Sequence, residues 1–501
     1  MNGDGEIQQS EASQVKSLDL SSSNISSMAE ITDFINLEML ACNNNNIDKL
    51  YLSSMNSIKW VNASYNNLNN GGISVGPNIE YIDLHNVSLS PGELNLSNKN
   101  KLSYLNLQNS DIYDLNCSNS KLTTLLLNGC SNLHVLNCSN NLLTSLDLSG
   151  LNITGEAYYL GSGPGTLTSY KGGVDCSHNN LTSLNINNLT TNFLNCSYNN
   201  LGLLNATSLT LVKMPTVHVY EIPEPSIYFD CSHNQLTSLL TNGSFIVQYF
   251  DCSYNNLNTL NIPNIVTQFF SCNNNNLTSL NISNSSKINS LNLSHNLLTS
   301  FVSPALPEVD NPYAFADIYN STRALNCSDN QLTFLDLNNT QIISVNASNN
   351  NINTLLIKNG IFNEFINLQN NLNIEFVCAD NIPLDSSSPS YTEVNYYQDM
   401  LPGATVGSDC NNIVLATDVS NLVKENIKIY PNPSKDFINI SADSIIKSIE
   451  IYDVQGRVVK AISGNNSKIV RVEIENISVG IYILKAVTEK GSFTEKIHKI
   501  Q

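Results

Sequence analysis

A phrase of the form Leu-x-x-Leu-x-Cys-Ser-x-Asn-x-Leu returns every 20 to 22 residues along this chain, and Cys117, Cys138, Cys176, Cys196, Cys231, Cys252, Cys272 and Cys327 occupy the same place in it. A unit this short cannot enclose an interior of its own, so consecutive copies must stack and share one. That requirement sets a solenoid as the fold. It removes most compact enzyme architectures and directs attention to a long, repetitive outer surface. One copy shows the logic. In Phe250-Asp251-Cys252-Ser253-Tyr254-Asn255-Asn256-Leu257, alternation turns Phe250 and Cys252 inward on a short strand and Asp251 outward. The chain then turns at Asn255, and Leu257, Leu260 and Ile262 return a second apolar edge to the interior. About fifteen coils are counted this way, anchored from Leu20, Cys42, Ala63 and Leu84, through either Leu107 or Cys117, to Leu368.

Charge and composition narrow the function. Of 501 residues only 13% are charged while 41% are hydrophobic, and apolar residues at strict period indicate a packed core rather than disorder. Twelve basic and 9 acidic residues fall in 424–501, which leaves 11 basic and 33 acidic residues, a net of −22, in 1–423. A solenoid this acidic repels nucleic acid and anionic lipid. No apolar run is long enough to span a bilayer. After Met1 there is neither a basic nor an apolar leader region, so no signal peptide is read, and a fragment or a misplaced start is expected. Instead Asn2, Asp4, Gly5, Ile7 and Glu11 fit positions 3, 5, 6, 8 and 12 of an EF-hand calcium loop whose first ligand would precede Met1. Residues 1–14 read either as a vestige of such a loop that no longer binds metal or as a polar turn into the first repeat.

The repeat closely resembles the leucine-rich repeat family, in the short form common in surface proteins of Bacteroidetes, and the resemblance covers residues 15–378. It implies a mainly β solenoid with a parallel sheet on a concave face. It also implies that the turn asparagines (Asn45, Asn66, Asn141, Asn179, Asn199, Asn234, Asn255, Asn275, Asn296, Asn330 and Asn350) form a ladder of amides serving the backbone groups that the turn leaves unpaired. Val87, Ser110 and Ser120 replace this Asn, so a looser ladder is expected between residues 84 and 120.

No Cys-x-x-Cys occurs, and a small apolar thiol fits where Ala63, Leu84, Leu293 and Ala347 also fit, so the Cys column is read as packing and neither metal nor cofactor is expected. Cys130 lies off the column. Cys378 and Cys410 bracket the end of the array and can form a disulfide that staples its cap, with two separate thiols as the alternative. Three long spacings hide insertions at 155–173, 207–228 and 303–322, which are either contact loops or neutral drift. Outward columns can be read from the anchors. Three residues before them stand Trp60, Tyr81, Tyr104, Phe193, Tyr228, Tyr249 and Phe269; one before stand Asp175, Asp230 and Asp251; two after stand Tyr65, His178, Tyr198, His233, Tyr254 and His295. A ring stripe beside a carboxylate and amide stripe suits sugars or the apolar hot spots of a partner protein. The alternative is that like rings merely stabilise neighbouring strands. Asp175 with His178 and Asp230 with His233 repeat one spacing without a nucleophile to complete a unit, so no catalytic residue is expected.

Beyond Cys378 the period ends. Residues 379–426 read as a cap and linker, and 427–501 alternate with period two over Phe437 to Ile440, Ile449 to Tyr452, Val470 to Ile474 and Tyr482 to Val487, which indicates a small β-sandwich. Tyr430-Pro431-Asn432-Pro433, Tyr452-Asp453 with Gly456-Arg457, Val479-Gly480-Ile481-Tyr482 and Thr494-Glu495-Lys496-Ile497 resemble the type A C-terminal sorting domain of the type IX secretion system. The resemblance implies export across the outer membrane by that machinery, processing by its sortase, and a surface-attached or released product. The reading is an exported, monomeric leucine-rich repeat protein that binds an unknown protein or glycan through its concave face and loops. A passive coat role without a specific ligand is the rival.

Overall fold

The strands form where alternation places them, and every solenoid strand pair within a coil track is parallel and in register. The computed structural model describes residues 7–500 except 70–71, 90–91, 155, 159–168, 213–226, 244–245, 286, 303–322, 339, 362–364, 384–389, 409–427, 454–457 and 489–490. The chain packs as two compact units, residues 1–201 with 208–234 and residues 202–207 with 235–501. Each is described by itself.

In the first unit two parallel ladders run along the stack. One comprises Ser17–Asp19, Met39–Ala41, Trp60–Asn62, Tyr81–Asp83, Tyr104–Asn106 and Thr124–Leu126. The other comprises Glu93–Asn95, Asp114–Asn116, Val135–Asn137, Gly173–Asp175, Phe193–Asn195 and Tyr228–Asp230. A coil thus holds two main strands, because the template Leu-x-x-Leu-x-Leu/Cys occurs twice per turn, and three coils add a short third strand at Asn152–Ile153, Thr190–Thr191 and Thr210–Leu211. Ile112, Leu115, Cys117; Leu122, Leu125, Leu127; Leu133, Leu136, Cys138; and Leu143, Leu146, Leu148 are four successive copies, and all twelve residues are at most 5% exposed. A coil is a tandem of two half-repeats, one per ladder, with apolar side chains from both filling the interior. This burial supplies the stacking energy, since a lone coil would leave both flanks in water.

The half-repeats differ in how their turns close. Where Asn fills the turn slot it serves two coils: Asn66 Nδ2 donates to Cys42 O at 3.0 Å and Ala63 O at 3.0 Å, and Asn66 Oδ1 accepts from Ile47 N at 2.9 Å. Where an apolar residue fills it, the backbone closes the turn, as in Met55 N to Leu52 O at 3.1 Å and Leu151 N to Leu148 O at 3.3 Å. Along the first ladder the slot reads Asn45, Asn66, Val87, Ser110, Cys130, Leu151; along the second it reads Lys99, Ser120, Asn141, Asn179, Asn199. The two half-repeats exchange roles between residues 84 and 141. The looser ladder expected there is thus a handover from one sheet to the other. Single hydroxyls bridge it: Ser110 Oγ donates to Leu84 O at 2.6 Å and accepts from Val87 N at 3.2 Å, and Ser120 Oγ donates to Leu96 O at 3.3 Å. Cys130, off the Cys column in sequence, sits in this slot and points its thiol at Leu107 O, 2.9 Å away.

The second unit repeats the plan. Tyr249–Asp251, Val266–Ser271, Lys287–Asn292, Ala324–Asn326, Ser344–Asn346 and Phe365–Asn367 form one ladder; Ser300–Val302, Phe334–Asp336, Thr354–Leu356, Phe376–Cys378 and Thr405–Gly407 form the other. The last strand extends the array past Cys378, and the helix Glu393–Met400 lies in the segment before it. Cys378 is disulfide-bonded, while Cys410, its expected partner, lies outside the described residues. The insertion at 155–173 opens with a hairpin, Glu156–Tyr158 against Ser169–Lys171. Most of the insertions at 207–228 and 303–322 lie outside the described residues.

The C-terminal segment forms one antiparallel sheet of Lys428–Tyr430, Phe437–Tyr452, Val458–Glu473, Gly480–Thr488 and Gly491–Lys499. The two short runs expected at Phe437 to Ile440 and Ile449 to Tyr452 are a single strand whose pairing shifts between Ser441 and Ile446. Such irregularities bend a strand. The strands form one continuous antiparallel sheet, and Ile438, Ile440, Ile449, Ile451, Val472, Leu484 and Ile497 share its core.

Candidate functional site

The ring columns stand outward, alternating with buried Val61, Ile82, Leu105, Leu194 and Phe229, and each ring is half-buried. They fall on two sheets rather than on one face. Trp60, Tyr81 and Tyr104 belong to the first ladder; Phe193 and Tyr228 belong to the second. The rings change ladder over the same stretch as the turn slots do, although Tyr81 and Tyr104 stand in coils whose slots hold Val87 and Ser110. Within each patch the rings lie face to face. Trp60 and Tyr81 have centroids 5.3 Å apart at 14°, Tyr81 and Tyr104 4.3 Å at 4°, and Phe193 and Tyr228 4.6 Å at 10°. In the second unit Tyr249 and Phe269 are register neighbours on one ladder. Stacking covers the ring faces that neighbours share and leaves their edges at the sides of the row. That geometry weakens the sugar-platform reading, which needs a free face, and leaves a row of edges of the kind that packs into protein hot spots.

Beside the first patch runs a row the sequence reading did not single out. Glu38 bridges Lys59 at 2.6 Å and Lys16 at 3.4 Å, and Lys59 followed by Lys16 holds the Glu38 carboxyl below its ordinary range. These residues precede the strands by one position, so the signal was available in the register of Lys16, Glu38, Lys59 and Glu80.

The carboxylate column is bound within its own coils. Asp175 Oδ1 accepts from Ser177 N at 3.1 Å and Ser177 Oγ at 2.7 Å. Asp230 Oδ1 accepts from Ser232 N at 2.9 Å and its Oδ2 from Tyr228 Oη at 3.0 Å; Asp251 does the same with Ser253 N at 2.8 Å and Tyr249 Oη at 3.2 Å. These are turn-forming contacts of an Asp two residues before a Ser. The column two residues after the anchor also has a backbone role. His178, Tyr198, His233 and Tyr254 have φ of +52°, +53°, +51° and +53°, a left-handed conformation that costs an ordinary side chain about 1–2 kcal/mol. Asn44, Asn119, Asn140 and Asn274 fill the same slot in other coils. The rings offset part of the cost by stacking, His178 on Tyr198 at 4.4 Å and Tyr198 on His233 at 4.1 Å. The Asp-His pairs that resembled a catalytic fragment are therefore a turn-forming Asp and a left-handed turn residue.

Where the second ladder lacks a ring, a cavity of about 200 Å³ is lined by Glu93, Asp114, Asn116, Asn137, Gly173 and Asp175 among others. Gly173 has φ +74°, and a Cβ there would come within 2.3 Å of Phe193 O. The anchor thiols are buried; burial pushes Cys117 and Cys42 up to about 12, which keeps them neutral. Among the described residues no group of three His, Cys, Asp or Glu side chains is placed to hold a metal ion. Asn2 and Asp4 lie outside the described residues, and Glu11 Oε2 accepts from Gln8 N at 3.2 Å, a helix-start contact.

In the C-terminal sheet the motif residues hold structure. Asn432 clamps its turn to the last strand, donating to Lys496 O at 2.8 Å and accepting from His498 N at 2.9 Å, between the cis bonds that precede Pro431 and Pro433. Tyr430 is exposed at the end of its strand, Gly480 begins another, and buried Tyr482 donates to Ser478 O at 2.8 Å. Gly456 lies outside the described residues.

Residues 428–500 match the family described as secretion system C-terminal sorting domain. No curated protein matches the chain. Among solved structures it is similar to the functional domain of InlJ from Listeria monocytogenes, described as including a cysteine ladder, at 18% identity and TM-score 0.30 over 98% of this chain and 91% of that one. It is also similar to YopM from Yersinia enterocolitica, at 18% identity and TM-score 0.21 over 73% and 92% of the two chains. A third is the internalin InlF from Listeria monocytogenes, at 14% and 0.17 over 65% and 84%. No helix among the described residues is long and apolar enough to cross a membrane. On its stacked parallel ladders and its asparagine ladder the chain folds like a leucine-rich repeat solenoid, and its residues 428–500 match the secretion system C-terminal sorting domain family.

Proposed function

We propose that the chain is an exported surface protein that works by adhesion or ligand binding, through two ring-bearing surfaces on different sheets. The stacked row Trp60, Tyr81 and Tyr104 carries the reading. It places the chain's single Trp and two Tyr side by side, flanked by the Lys16, Glu38, Lys59 row on one side and by Asn62, Asp83 and Asn106 on the other. Edge-on aromatic residues with a polar rim favour a protein partner over a sugar. The Phe193 and Tyr228 pair offers a second, more acidic surface beside Asp175 and Asp230. Export rests on the sorting domain, with the type IX machinery as the implied handler.

The coat reading keeps one observation of its own: face-to-face rings and turn-bound carboxylates both strengthen the stack without any ligand. The full-length chain with Trp60→Ala and Tyr81→Ala, and separately with Phe193→Ala and Tyr228→Ala, distinguishes the two. Binding to a panel of extracellular-matrix proteins, glycans and whole cells is expected to fall at least tenfold in one pair, with circular dichroism unchanged. Wild-type binding to nothing on the panel, or full binding by both variants, supports the coat.

A further inference from the structure

The C-terminal cap of the solenoid holds two polar groups that are buried without a partner among the described residues. The helix Glu393–Met400 starts with Thr392 N donating to Asn395 Oδ1 at 2.9 Å, and it turns Glu393 and Tyr397 inward, four residues apart and so on one face. Both are 0% exposed. Glu393 Oε2 accepts from Asp380 N at 3.0 Å, but Glu393 Oε1 and Tyr397 Oη have no hydrogen-bond partner among the described residues. A second carboxylate closes the corner: Asp380 is buried and accepts from Gly360 N at 2.6 Å.

An ionised Glu393 here is a buried charge without a countercharge among the described residues. Around it the helix contributes Tyr396 and Tyr397, the segment after Phe376–Cys378 contributes Asp380, and the strand Thr405–Gly407 contributes no ionisable group. The nearby Lys358 amine is exposed and donates to Ser408 O at 2.9 Å. Burial first, and the Asp380 carboxylate after it, raise Glu393 to about 7, against the lowering effect of the Asp380 N–H. Protonation removes the charge and so the cost of burying it.

We propose that the helix Glu393–Met400 is a proton-operated latch, which closes the end of the array while Glu393 is a neutral acid and loosens when Glu393 gives up its proton. The sign follows from linkage. A carboxyl raised in the folded state stabilises it fully below the ordinary carboxyl range, and that contribution is lost as pH rises through about 7.

Hydrogen exchange of the helix amides in the full chain, corrected for intrinsic rates, tests this at pH 5.5 and pH 8. Wild-type protection is expected to fall about 10- to 30-fold between the two, and Glu393→Gln, a permanent neutral mimic, is expected to hold one protection at both. Equal wild-type protection at the two pH values overturns the latch, as does a Glu393→Gln helix that loosens with pH as wild type does. Should the Gln helix be open at both, Asp380→Asn decides: removal of the neighbouring charge is expected to move the transition to lower pH, and an unmoved transition overturns the proposal.

Discussion

Replacing Asn141 by Ala measures what the amide ladder contributes after the handover. Asn141 is buried; its Nδ2 donates to Cys117 O at 2.9 Å and Cys138 O at 3.0 Å, and its Oδ1 accepts from Leu122 N at 2.9 Å. Truncation strands at least the Cys117 carbonyl and the Leu122 N–H, on a neighbouring coil, where water does not reach. At about 1–3 kcal/mol for each stranded buried group, the loss is about 2–6 kcal/mol. Asn141→Ser is expected to lose less than half of that, because Ser110 and Ser120 already show one hydroxyl bridging two coils in this slot. Urea unfolding followed by circular dichroism gives the magnitude. Exchange of the Leu122 amide locates it, since coils of a solenoid need not unfold together. An Ala variant within about 0.5 kcal/mol of wild type would refute the reasoning, as would Ala and Ser variants of equal stability.

Two further outcomes follow from the same geometry. Tyr198→Asn exchanges ring stacking worth about 0.5–1.5 kcal/mol per pair for a residue at ease with positive φ, so its melting is expected within about 1 kcal/mol of wild type, while Tyr198→Ala, which gains nothing, falls about 1–3 kcal/mol below. Iodoacetamide at pH 8 is expected to leave Cys117, Cys138, Cys176 and Cys196 unmodified in the folded chain and to alkylate them in denaturant, because burial raises each thiol far above that pH. Peptide mass spectrometry that finds Cys176 alkylated in the native chain contradicts a sealed interior.

Much of this architecture was legible in the sequence because its signals are periodic. The Cys column, the inward Phe250 and the outward Asp251 follow from alternation alone, and the asparagine ladder follows from one residue type at one slot. The second apolar edge of Leu257, Leu260 and Ile262 was legible too; what escaped was that this edge is a half-repeat of the same template, with its own strand and its own turn slot. The choice between Leu107 and Cys117 as an anchor was its trace, since both are anchors, ten residues apart on different sheets. A period read only at 20 to 22 residues conceals a half-period at which Leu122, Leu125 and Leu127 repeat the pattern of Ile112, Leu115 and Cys117. The same oversight merged two ring patches into one stripe. Column membership also says where a side chain stands and not what it does, which is why Asp230 and His233 could resemble chemistry while forming a turn. The buried Glu393 had no periodic neighbour to announce it.

The role exchange between half-repeats is tested most directly by locating the sulfur atoms from their anomalous scattering in a crystal. The account predicts Cys117, Cys138, Cys176 and Cys196 as one row, about 5 Å from coil to coil as parallel strands require, with Cys42 and Cys130 on the other run of the coil. Cys130 falling in line with Cys117 and Cys138, or a metal peak between any of these sulfurs, would contradict it.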